Sequence, residues 1–169
     1  MNIREEKPGD LEAVEALTYL AFENHPYHVP GAKPTEHLIV NRLRASGALT
    51  LSLVAEEGGV IVGHIAFSPV TVEGQACGWF GLGPVSVRPE RQGQGIASQL
   101  IRQGLRNLEA RGAEAVVLVG EPAYYGRFGF KANPDLVFPG VPAEYFVVLR
   151  LREDIKVPAG LVGFHKAFG

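Results

Sequence analysis

Gln92-Gly93-Gln94-Gly95-Ile96-Ala97 stands between two segments of opposite periodicity. Before it runs Gly83-Pro84-Val85-Ser86-Val87, short and β-branched. After it, Ile96, Leu100, Ile101, Leu105 and Leu108 recur at helical spacing up to Arg111-Gly112. A glycine-containing turn from a strand into a helix leaves backbone N–H groups without intrahelical partners. Those donors point along the positive end of the helix dipole, so the turn is suited to a pyrophosphate. A Cβ at Gly93 or Gly95 would hold such a phosphate away from the backbone.

The elements that must position this cradle are legible around it. Residues 1–5 read as a strand, and Lys7-Pro8-Gly9-Asp10 turns into a helix whose face is Leu11, Val14, Leu17, Leu20 and Ala21. Residues 22–33, rich in breakers, read as a loop, and Pro34 suits the first turn of a second helix reaching Arg44. Residues 49–56 and 60–72 read as strands joined by a hairpin at Glu57-Gly58-Gly59, with 75–87 as the next strand. A helix over 93–111 is followed by Ala115-Val116-Val117-Leu118-Val119, an apolar run that suits a buried strand. The strand–helix–strand order implies a parallel pair. Residues 122–128 read as a short helix or turn, with final strands at 136–138 and 145–151. In the tail, Leu161, Val162, Phe164 and Phe168 are expected to pack back on the body.

Composition narrows the class. With 169 residues, 46% hydrophobic and 20% charged, the chain reads as one globular domain. A net charge of −2 argues against a general nucleic-acid binder. One cysteine, Cys77, leaves no internal disulfide and fits a reducing compartment, with the thiol acting as a small buried hydrophobe. The start, Met1-Asn2-Ile3-Arg4-Glu5-Glu6, lacks the apolar stretch of a secretory signal, and no apolar run reaches membrane-spanning length. A cytoplasmic protein without a membrane partner is expected. Nothing in the composition fixes an oligomeric state.

Gln92, Gly95 and Ala97 resemble the acetyl-CoA signature of the GNAT superfamily of N-acetyltransferases, Gln/Arg-x-x-Gly-x-Gly/Ala. Val85, Val87 and Pro89 match the strand end that precedes it, and Tyr125 with Gly129-Phe130 matches the family's Tyr-x-x-x-Gly-Phe. The likeness is to a bacterial-type, single-domain acetyltransferase over residues 1–151, with 152–169 as an extension packed on the same domain. It implies an α/β (α+β) fold with a mixed sheet of about six to seven strands, a splayed parallel pair and about four flanking helices. It implies acetyl-CoA as cosubstrate, no metal, and an amine acceptor that is a small molecule or a peptide or protein. Backbone groups of Val85, Ser86 and Val87 would pair with the pantetheine amides, and Gln92, Gly93, Gln94, Gly95, Ile96 and Ala97 would hold the pyrophosphate. Val85 and Val87 also suit the core. Tyr125 stands where the family has its general acid; a phenol with pKa near ~10 stays protonated at neutral pH and can donate to a thiolate whose conjugate acid lies near ~8.5. Tyr124 is expected to pack.

The acceptor side is less defined. Leu118 stands where the family commonly has a cofactor-contacting asparagine. Glu121 reads either as a carboxylate ordering a water or as a surface group at a strand end, and Glu23 is a second guess for a base. By the resemblance, the segment with Phe22, Glu23, Asn24, His25, Tyr27 and His28 lines the acceptor cleft. His25 and His28 lack the spacing of further metal ligands, and His64, in an apolar strand, reads as a core histidine. Glu5, Glu6, Glu12, Glu15 and Glu23 give the N-terminal part an acidic bias that suits a cationic amine or a solvated helix face. Two other classes compete with an acyltransferase. Gly93-x-Gly95-x-x-Ser98 is one residue from a dinucleotide fingerprint, but no acidic residue ends the next strand to hold a ribose. A non-catalytic acyl-CoA sensor is the alternative on the same fold.

Overall fold

The long hairpins of the N-terminal half set the frame. In the computed structural model, which describes residues 1–23 and 31–169, β1 (Asn2–Glu5) is followed by α1 (Leu11–Phe22) and α2 (Glu36–Ala45). Next come β2 (Leu51–Glu57), β3 (Val60–Val72), β4 (Gln75–Val87), α3 (Ile96–Ala110) and β5 (Ala115–Val119). The chain ends with α4 (Pro122–Tyr125), β6 (Lys131–Ala132), β7 (Leu136–Val137), β8 (Phe146–Arg150) and β9 (Gly160–Phe164). The sheet runs β1-β2-β3-β4-β5-β8-β6, with β9 pairing β3 off this path and β7 pairing β9. All neighbours on the main path are antiparallel except β4 and β5, the parallel pair that the strand–helix–strand order implied.

Period-two alternation along β3 sends successive side chains to opposite faces of the sheet. One face packs on α3, where Leu51, Leu53, Ile65, Phe67, Leu100 and Ile101 share the largest core cluster. Helix and sheet approach closely enough that a Cβ on Gly104 would run into the Phe67 ring, so glycine is needed there. The other face packs on α1 and α2 through Val14, Leu17, Val40, Val54 and Ile61. A third cluster gathers Val70, Trp79, Val117, Phe146 and Val162, with Phe138 and Phe164 edge to face at 4.9 Å.

Several element ends differ from the sequence reading, each for a local reason. Helix α3 starts at Ile96 because Gly93 and Gly95 take φ of 75° and 83°, which a right-handed helix does not accommodate. Helix α2 starts at Glu36, after Thr35 at its N-cap, so Pro34 lies just outside it. Phe22 is the last residue of α1 rather than the first of a loop, and Leu20 is 42% exposed instead of core-facing. The tail forms a strand: Val162, Gly163 and Phe164 pair with Val72, Thr71 and Val70. Val162 is buried and Phe164 packs on Phe168 at 5.5 Å, whereas Leu161 stays half exposed. Strands β6 and β9 are short and glycine-bounded or isolated in sequence, too brief for alternation to reveal.

Candidate active site

β4 and β5 part company midway. Trp79, Phe80 and Gly81 pair with Ala115, Val116 and Val117, after which β5 keeps only β8 and β4 keeps only β3. The cause lies in the register: Phe67 pairs with Leu82 but Ile65 with Val85, so β4 carries an extra residue at Gly83-Pro84. Such a bulge bends and twists its strand, and Pro84 has no N–H to offer a neighbour. Beyond it, the edge of β4 that faced β5 presents backbone groups without a strand partner among the described residues.

The cradle begins where β4 ends. A 3₁₀ turn, Pro89–Arg91, leads into Gln92, whose Nε2 donates to the Val87 carbonyl at 3.2 Å and ties the turn to the strand. Gly95 is the N-cap of α3 and supplies no side-chain cap, and no acidic residue occupies the first helical turn. The orphan N–H groups of α3 therefore retain their capacity for an anion. A Cβ at Gly93 or Gly95 would meet no protein atom within 4 Å. Left-handed backbone is what demands glycine here, and the space in front of it is open.

Free edge and cradle face one cleft of about 690 Å³. Val85, Val87, Gln92, Gly93, Gly95, Ile96 and Ala97 all line it. Ser86 contributes no side chain: it points to the opposite face of the sheet and is 2% exposed. Gln94 lies outside the lining and accepts from Arg91 Nε at 2.9 Å. Sequence reasoning missed Pro89, Arg91, Ser98 and Arg127, and the exposed Leu20 of α1, which joins Ala21, Phe22 and Glu23 as the facing wall. Arg127, one helical turn after Tyr124 and before the Gly129-Phe130 motif, was the signal available for the basic rim.

The two adjacent tyrosines divide. Tyr124 lines the cleft, with the Arg127 guanidinium 4.6 Å over its ring, while Tyr125 sits behind it in edge-to-face contact at 4.9 Å. Tyr125 also packs on Phe130 and closes on Gly120, where a Cβ would strike its ring. Burial, with a smaller push from Tyr124, raises the Tyr125 phenol to about 12. Burial also raises Tyr124, against the opposing pull of Arg127 and Arg102. Both phenols are thus protonated at neutral pH.

The remaining candidates are dispersed. Glu121 is an exposed cap of α4, its carboxylate accepting from Ala123 N at 3.4 Å. Glu23 is exposed at the cleft wall, and His25 and His28 lie outside the described residues. Leu118 is a core residue, 1% exposed. His64 is fully buried, hydrogen-bonded through Nε2 to Ser52 Oγ at 2.8 Å, and desolvation, reinforced by Arg44, lowers its pKa to about 3. Cys77 is half-buried with its Sγ 3.8 Å from the Val70 carbonyl, and burial pushes its thiol up. Among the described residues no three His, Cys, Asp or Glu side chains converge as a metal site, and no helix is long and apolar enough to cross a membrane.

A strand that parts from its parallel partner and runs through a glycine turn into a helix N-terminus suits an extended ligand that ends in a pyrophosphate. Residues 2–132 match the family model of the acetyltransferase (GNAT) domain, and the chain belongs to that family. The N-acetyltransferase YhbS of Escherichia coli K12 is 40% identical over 174 residues, covering 99% of this chain and 98% of YhbS. Among solved structures, a GNAT family acetyltransferase from Brucella melitensis in complex with acetyl-CoA is 46% identical with a TM-score of 0.85, covering 99% of this chain and 97% of that one. Escherichia coli YhbS in complex with CoA is 39% identical with a TM-score of 0.89, over 99% and 91% of the two chains.

Proposed function

We propose that the chain moves an acetyl group from acetyl-CoA to an amine by direct attack, with Tyr125 as general acid. One observation carries the reading: the unpaired edge of β4 and the open, left-handed glycines at the start of α3 face the same cleft. The site fits the cosubstrate part by part. The α3 N-terminus and its glycines suit the pyrophosphate, the β4 edge at Val85, Ser86 and Val87 suits an extended chain of amides added as a strand, and Arg91 and Arg127 suit further phosphate charge. The proteins from Brucella melitensis and Escherichia coli, bound to acetyl-CoA and CoA respectively, support the same ligand.

Acetyl-CoA supplies a thioester whose carbonyl carbon takes the nucleophile and whose thiolate leaves. The β4 edge orients it, a backbone N–H near Val85 stabilises developing negative charge on oxygen, and a protonated phenol at Tyr125 serves the thiolate. Burial raises that phenol to about 12, which keeps it protonated at neutral pH but makes it a weaker acid than a free phenol toward a thiolate whose conjugate acid lies near ~8.5.

On the acceptor side, Glu23 is the sole carboxylate among the described residues of the lining, and it is exposed. None of the described side chains there is held as a strong base. A lysine-like nitrogen near pKa ~10.4 is about one part in ~10³ neutral at pH 7, whereas an α-amine near ~8 is about a tenth neutral. The acceptor is accordingly a weakly basic amine such as a peptide α-amino group. Thiol release from acetyl-CoA, with the mass gain of the acceptor, tests this on α-amino and ε-amino versions of one short peptide from about pH 6.5 to 9.5. Preference for the ε-amine at pH 7 overturns the acceptor class; no release with any amine overturns the reaction.

A further inference from the structure

The two arginines that line the cleft are held in different ways. Arg91 is committed: its Nη2 donates to Glu57 Oε2 at 2.6 Å and its Nε to Gln94 Oε1 at 2.9 Å. Its charge is offset by the Glu57 carboxylate, which it holds below the usual carboxylate range. Arg127 has no carboxylate partner among the described residues. Its guanidinium lies 4.6 Å over the Tyr124 ring, a cation–π contact that positions the planar fork without consuming its N–H groups.

The arrangement continues onto α3. Tyr124 meets Phe128 edge to face at 5.6 Å, and Arg102, one turn after Ser98 on that helix, lies 4.8 Å over the Phe128 ring. Arg102, too, has no carboxylate partner among the described residues. Both guanidiniums favour the ionised form of the Tyr124 phenol, so both stand near it. Arg127, Tyr124, Phe128 and Arg102 thus form a ladder of two cations and two rings beside the first turns of α3, and Arg127 and Tyr124 open on the cleft together with Ser98. Like charges gathered without a counter-charge repel, and an anion bound between protein and solvent relieves them.

We propose that Arg127, with Arg102 adding charge alongside, holds the 3′-phosphate on the ribose of CoA, so that the cleft prefers CoA over the same molecule without that phosphate. The proposal rests on CoA as the cosubstrate and needs no particular acceptor. CoA carries three phosphates, two in the pyrophosphate and one as a monoester on the ribose. The backbone N–H groups at the start of α3 match the pyrophosphate. The monoester lies apart from it, carries close to two negative charges at neutral pH, and needs donors of its own. Arginine meets such a group with two parallel N–H bonds, which gives direction as well as charge. Arg91 is engaged with Glu57, and Arg127 is the lining cation whose fork remains unused among the described residues.

Calorimetry with CoA and with dephospho-CoA, which lacks only the 3′-phosphate, tests this without any turnover. The unaltered protein should bind CoA at least ~10-fold more tightly than dephospho-CoA. Arg127→Gln, a change at an exposed side chain, should remove that preference: affinity for CoA falls ~10-fold or more, while affinity for dephospho-CoA holds. Arg127→Lys should restore part of it, because a point charge remains but the fork does not. An equal loss for both ligands would assign Arg127 to the pyrophosphate and overturn the proposal, and so would no loss for either. Equal affinity of the unaltered protein for the two ligands strikes this proposal alone, whereas failure to bind CoA at all strikes the cosubstrate reading and the proposal with it.

Discussion

The two faces of the sheet are built on different terms. Toward α3, the buried side chains of the helix are Ile96, Leu100, Ile101, Leu105 and Leu108, closed up at Gly104, and they meet Leu51, Leu53, Ile65 and Phe67. Burying an aliphatic side chain of this size contributes ~1.5–3 kcal/mol, so α3, whose N-terminus opens on the cleft, is held by an apolar anchor. Toward α1 and α2, the apolar cluster is smaller, and His64, Ser52, Ser68, Ser86 and Thr18 are buried beside it. Polar atoms in such a place cost stability unless paired. The comparison separates a face closed by apolar packing alone from a face that buries polar side chains among its apolar ones.

The largest expected effect tests the α3 side. Gly95→Glu places a side chain and a negative charge at a left-handed N-cap whose surroundings are open. Acetyl-CoA binding should vanish, while the fold carries only the strain of a non-glycine residue at positive φ, ~1–3 kcal/mol. Calorimetry on the folded variant decides it, since unchanged affinity would put the ligand elsewhere.

Next comes the pair of tyrosines, which pack against the cluster on the α3 side. Tyr125→Phe preserves the contacts with Tyr124 and Phe130 and removes only the hydroxyl. Turnover should fall ~10²–10⁴-fold where chemistry limits the rate, with acetyl-CoA affinity held. Tyr124→Phe should cost far less. The reverse ranking would transfer the acid role to Tyr124, the residue that actually lines the cleft.

How much of this was legible follows the same division. The cradle is a backbone device, so it leaves a trace in sequence: glycines where φ must be positive, and a β-branched strand before an amphipathic helix. The splay between β4 and β5 was implied by the family likeness, but its cause, an extra residue at Gly83-Pro84, needed the register to be seen. Ser86 fitted the strand pattern, yet which face it took depended on that bulge. Phe22 and Glu23 were placed at the cleft by the family likeness, whereas Leu20 fitted the apolar face of α1 by its spacing and instead stands exposed in the lining. His64 was recognised as a core residue, but that its Nδ1 is unpaired among the described residues is a tertiary fact that no periodicity encodes.

The polar face should also fail first in acid. His64 has its pKa lowered from 6.5 to about 3 by burial, so below pH 6.5 the unfolded chain binds a proton that the folded chain refuses. The associated stability is complete above that pH and is lost progressively toward pH 3, at ~1.4 kcal/mol per pH unit. Asp10, held below the usual carboxylate range by Arg4, adds a second loss in the same direction at lower pH. Denaturant titrations from pH 7 to pH 4 should therefore show falling stability, and His64→Gln should flatten the slope. An equal slope in the variant would mean that His64 does not resist protonation in the fold.

The smallest effect concerns the acceptor wall. Glu23 follows the last turn of α1, is exposed, and is the sole carboxylate among the described residues that line the cleft. If it attracts a cationic amine, the interaction is that of an exposed ion pair, worth ~0.2–1 kcal/mol and weakened by salt. Glu23→Gln should then raise the acceptor KM by up to ~5-fold at low ionic strength, and the difference should shrink as salt is added. kcat and the KM for acetyl-CoA should not move. Stability should hold or rise slightly, because a negative charge at a helix C-terminus opposes the helix dipole. A fall in kcat by orders of magnitude would instead make Glu23 the base that takes the acceptor's proton at the mouth of the cleft.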